Sequence, residues 1–61
     1  MRKESDIIFE AGDYWVSRER KGFKVWRGGF IYATLVATIG YEGEKGEKRA
    51  IEECKLRAGE I

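Results

Sequence analysis

The apolar residues of this chain change period part-way along it. Between Tyr14 and Tyr41 they return at about every second position; from Glu47 they return at every third or fourth. Period two marks a strand with one buried face, and period 3.6 marks a half-buried helix. The order therefore predicts an α+β domain: a three-stranded antiparallel β-meander with one C-terminal α-helix packed on one face. A chain of 61 residues holds one domain at most. The other face of the sheet is then left over, and any function should be sought there.

The strands are expected near 14–18, 23–27 and 31–39, with a single βββα domain over 14–61. Residues 1–13 form a leading segment. Its first six residues are polar and should fray, Ile7-Ile8-Phe9 could add an edge strand or lie over the sheet, and Ala11-Gly12-Asp13 is a turn signal. The connection Glu19-Arg20-Lys21-Gly22 suits a hairpin. It sets Arg18 opposite Phe23, Val16 opposite Val25 and Trp15 opposite Trp26.

Loop length in the second hairpin decides the faces, because a slip of one residue turns every side chain to the other side. A loop of Gly28-Gly29 alone mixes both faces. A three-residue loop, 28–30, separates them. Tyr14, Val16, Phe23, Val25, Ala33, Leu35, Ala37 and Ile39 then face the helix. Trp15, Ser17, Lys24, Trp26, Tyr32, Thr34, Val36 and Thr38 then face outward. The helix should start between Gly43 and Glu47 and stop at Gly59. Ala50, Ile51, Cys54, Ala58 and Ile61 share its apolar face, and Leu56 points away.

Composition narrows the function. There is no histidine, so the commonest proton shuttle and metal ligand is missing. The lone Cys54 falls mid-way along the apolar helix face and reads as a packed thiol. The glutamates at 42, 44, 47, 52 and 53 are interleaved with Lys45, Lys48 and Arg49, which suits a solvated face better than a cation site. The glycines at 40, 43 and 46 lack phosphate-loop spacing, and Glu42 and Glu44 would repel an anion. A non-enzymatic protein without metal or cofactor is expected. The uncharged run from Gly28 to Tyr41 has 14 residues, short of the roughly 20 that span a bilayer. With no signal-peptide core and a single thiol, a cytoplasmic location is expected.

Charge is unevenly placed. Residues 14–29 carry five basic side chains against the single acid Glu19, whereas residues 30–41 carry no charge. Trp15, Trp26 and Tyr32 would form an aromatic row beside Lys24 and Thr34, with Arg18, Arg20, Lys21 and Arg27 at the hairpin ends. Such a face suits nucleic acid, where rings stack on bases and cations neutralise phosphates. Three readings of the aromatics stand: cross-strand pairs that only stabilise the sheet, a nucleic-acid surface with DNA ahead of RNA, or a contact for a protein partner or a second copy in a weak homodimer.

Tyr14-Trp15-Val16-Ser17-Arg18, Gly22-Phe23-Lys24-Val25-Trp26-Arg27, Thr38-Ile39-Gly40-Tyr41 and Arg49-Ala50-Ile51-Glu52-Glu53 together resemble the N-terminal arm-binding domains of phage and transposon tyrosine integrases, and the plant AP2 domain. Those families lay a three-stranded sheet in the DNA major groove. The resemblance implies DNA contacts from Arg18, Lys24, Trp26, Tyr32 and Thr34. It also implies an accessory or regulatory DNA-binding role of the kind found on mobile elements.

Overall fold

The computed structural model describes residues 6–29 and 31–59. Residues 1–5 and Ile61, for which fraying and a place on the helix face were expected, lie outside them. Four strands, β1 (Ile7–Ala11), β2 (Tyr14–Glu19), β3 (Gly22–Gly28) and β4 (Ala33–Ile39), precede one helix, α1 (Gly43–Arg57). All four strands join one antiparallel sheet in the order β1-β2-β3-β4. The α+β class stands, and the three-stranded meander is corrected to four. Ile7-Ile8-Phe9 supplies the extra strand, which runs on to Ala11 and turns into β2 at Gly12, whose φ is +59°. The strand pairs because Phe9 and Ala11 bring apolar side chains opposite Val16 and Tyr14.

The first hairpin holds the expected register, with Trp15 opposite Trp26, Val16 opposite Val25 and Arg18 opposite Phe23. The second differs. Gly28 pairs with Ala33, so the loop is the four residues 29–32, and Leu35 lies opposite Trp26. The register then slips: Val25 pairs with Ala37 and Phe23 with Ile39, leaving Val36 as an extra residue. This β-bulge costs one ladder position and reverses the faces on one side of it. Ala37, Thr38 and Ile39 keep the expected faces. Leu35, expected in the core, lies on the open face. Val36, expected outside, packs against the core. Thr34 pairs with Arg27, and both line one hollow with Trp15 and Trp26.

Cross-strand neighbours share a face, so the register gives the layers. Phe9, Val16, Val25 and Ala37 form one row beneath α1, and Arg18, Phe23 and Ile39 form another. Val16, Val25, Ala50 and Cys54 are fully buried there. The helix touches every strand, β3 most. It lies so close that a methyl group at Gly46 would sit 2.1 Å from the Tyr41 carbonyl oxygen and 2.9 Å from the Phe23 ring. Gly22 is equally confined: a Cβ there would meet the Ile39 carbonyl oxygen at 2.0 Å. The helix ends at Arg57, with Ala58 as its C-cap and Gly59 next at φ +79°, in keeping with a stop at Gly59.

Candidate docking surface

The face away from the helix is built from two rows. One is Ile7, Ser17, Lys24 and Thr38; the other is Glu10, Trp15, Trp26 and Leu35. In the second row the two indoles stack, with centroids 5.5 Å apart and planes 16° from parallel. Each indole N–H is bonded within the chain. Trp15 Nε1 donates to the Gly28 carbonyl at 3.0 Å. Trp26 Nε1 donates to Ser17 Oγ at 2.9 Å, and that hydroxyl donates to Glu19 Oε2 at 2.7 Å. Gly28 also donates its own N–H to the Asp13 carbonyl at 2.9 Å. It thereby ties the start of the 29–32 loop to the β1–β2 turn and to Trp15.

This network divides the aromatic row. Trp15 is only 4% exposed, so it is a packed side chain that holds Trp26 in place. Trp26 is half-buried and presents one ring face. The Lys24 ammonium lies 6.0 Å from its centroid, within reach of a cation–π contact. Tyr32 is not in a strand; it lies in the loop before β4 and is 86% exposed.

Of the cations expected around that row, Lys24 and Arg27 stay beside it, and Arg18, Arg20 and Lys21 lie away from it. Arg18 shares the Phe23 row on the helix side, where its guanidinium meets Glu47 Oε1 at 3.2 Å. Arg27 pairs with Tyr14 and Thr34 but stays beside the aromatic row, lining one hollow with Trp15, Trp26 and Tyr32. Arg20 and Lys21 form the tip of the first hairpin. On α1, Arg49 and Arg57 both bind Glu53, at 3.0 and 2.9 Å. The open face itself presents Lys24 together with Glu10 and Glu19. Of the nine candidate contact residues, the structure gathers Trp15, Trp26, Arg27, Tyr32 and Thr34 around one hollow beside the 29–32 loop, with the Lys24 ammonium near the Trp26 ring and Trp15 almost fully buried.

Sequence reasoning missed a second set. Ile31 is 74% exposed, Leu35 44% and Tyr41 50%. With Tyr32, these are four of the five large apolar residues exposed among the described residues, and all lie in β4 or flank it. The fifth is Leu56 on the helix. The uncharged stretch from Gly28 to Tyr41 was the available signal. β4 is also the last strand of the sheet, so one side of it has no strand neighbour.

Among the described residues no group of three or more His, Cys, Asp or Glu side chains is placed to hold a metal ion. No helix there is long and apolar enough to cross a membrane. No protein-family model, curated protein or solved structure matches the chain. The resemblance to integrase arm-binding and plant AP2 domains stands on the quoted sequence pattern alone.

Proposed function

We propose that this protein is a non-enzymatic protein-interaction module that docks its partner along the β4 edge and the adjoining open face. The observation that carries the reading is the concentration of exposed apolar side chains, Ile31, Tyr32, Leu35 and Tyr41, on one uncharged strand and its flanks. A small soluble domain gains nothing in stability by leaving such residues in water, and clustered apolar exposure marks interaction sites. An edge strand with neither charge nor proline is also open to pairing with another strand.

Nucleic acid is the competing reading. It draws on Lys24 over the Trp26 ring and on Arg20 and Lys21 at the hairpin tip. Against it, a phosphate approaching the open face meets Glu10 and Glu19 as well as Lys24, and Arg18 is engaged by Glu47 on the other side. Affinity for nucleic acid rests on neutralised phosphates, which this face is poorly built to supply.

The test places a photo-reactive amino acid at Leu35, with Leu56 on the helix as the control, in the cells that make the protein. Protein adducts at position 35 and none at 56 are expected. Nucleic-acid adducts at 35 would instead support the competing reading, and equal labelling at both positions would remove β4 as the docking surface.

A further inference from the structure

The β4 edge is matched in charge and in face to one occupant, and we propose that this occupant is β4 of a second copy of the chain. The two strands pair antiparallel across a two-fold axis into a continuous eight-stranded sheet. This rests on the reading of β4 as the docking edge and names what docks there.

Charge is the first argument. A two-fold interface sets the same patch of surface against itself, so any charge on a self-pairing strand faces its own kind. Like charges placed directly opposite are destabilising. β4 carries none, and neither does the chain on either side of it from Gly28 to Tyr41. The nearest cations, Lys24 and Arg27, are on β3. In the paired sheet the two β3 strands lie three strand spacings apart, about 14 Å, beyond the screening length of about 8 Å at physiological salt. A partner of other composition would not require this neutrality; a second copy does.

Face is the second argument. Side chains opposite one another in a ladder must point to the same side. The bulge at Val36 makes this a demanding condition, because it places Leu35 and Thr38 on one side of β4 and Thr34 and Ile39 on the other. One register of β4 with its own copy satisfies both. Leu35 meets Thr38 of the second copy, Thr34 meets Ile39, and Val36 meets Ala37. Continued outward, that register sets Tyr32 opposite Tyr41 of the second copy. The exposed rings flanking β4 at its two ends thus find each other. The bulge shortens the uninterrupted ladder, so these side-chain contacts must supply part of the affinity.

Three measurements test the pairing. Sedimentation velocity of the purified protein across a dilution series should show a reversible monomer–dimer equilibrium, with Trp26 emission shifting to the red as the dimer dissociates. Leu35→Lys, which brings two ammonium groups into the interface, should weaken the dimer by about 30-fold or more while the thermal melt of the monomer holds. Oxidation of an equimolar mixture of Leu35→Cys and Thr38→Cys proteins should give a cross-linked dimer that neither variant gives alone. Like positions are then displaced by three residues, about 10 Å, too far for a disulfide. Cys54 is buried and serves as the unreactive background in the wild type.

A monomer at all concentrations, or cross-linking within either single variant, overturns the pairing. If the photo-adduct at position 35 then has the mass of a different protein, the docking reading survives without the dimer. If there is no adduct either, both fall.

Discussion

The sheet has two edges, and they are finished differently. β1 is the more hydrophobic in sequence, with Ile7, Ile8 and Phe9 in succession. Yet it bulges at Ile8, turns Phe9 and Ala11 toward the helix, holds Lys55 5.5 Å from the Phe9 ring centroid, and places Glu10 on the open face. β4 has two threonines among five aliphatic residues, no charge, and four exposed apolar side chains in or beside it. Hydrophobicity alone therefore does not make an edge available. The helix touches both edge strands, so charge makes the difference: β1 carries Glu10 and β4 carries none.

The largest effect on this contrast should come from the clamp that holds β4 to the sheet. Gly22→Ala places a methyl group against the Ile39 carbonyl oxygen, and backbone cannot step aside as a flexible side chain does. A loss of about 3 kcal/mol is expected, which lowers the melting temperature by roughly 10–20 °C in a domain of this size. An unchanged melt would mean that the end of β4 docks elsewhere. Phe9→Ala acts on the opposite edge. Phe9 is half-buried, so about 2 kcal/mol is expected. Hydrogen exchange should quicken in β1 while β3 stays protected; uniform quickening would show that β1 is not a separable edge.

Smaller effects sharpen the comparison. Glu10→Val removes the charge from β1 and should produce larger species than the wild type shows in size-exclusion chromatography, with stability changed by no more than about 0.5 kcal/mol. A profile identical to wild type would show that the cover of the helix suffices without the carboxylate. Arg18→Ala should do least. Its ion pair with Glu47 is largely solvent-exposed, so a change of at most about 0.5 kcal/mol, and little dependence on salt, is expected from urea titration.

How far the sequence could be read depended on where local pattern set the structure. The first hairpin was legible because strict alternation on both strands leaves one register that buries Val16 and Val25 together. The helix was legible from its period and from Gly59. β1 was half legible: the apolar triplet showed, but Ala11 was assigned to the turn, although it is a buried strand residue. β4 was misread between 33 and 36 because a bulge leaves no mark in apolar period. It appears only when the adjacent residues Trp26 and Val25 are seen to pair with Leu35 and Ala37, two positions apart. Within the candidate site, Trp26 and Tyr32 could be found by type and position. The sealing of Trp15 could not, since it stacks on Trp26 and bonds the Gly28 carbonyl, both distant in sequence. Arg18 was placed opposite Phe23 by the same register that buried Phe23, so its position on the helix side was implicit in that pairing.

The sole thiol of the chain gives the fold an internal clock. Cys54 has no exposed surface and reacts with an aqueous reagent only when α1 lifts from the sheet. The rate of its alkylation therefore measures how often the helix undocks, without a label or a mutation. If two copies join along β4, holding the sheet in its paired form, that clock slows as protein concentration rises.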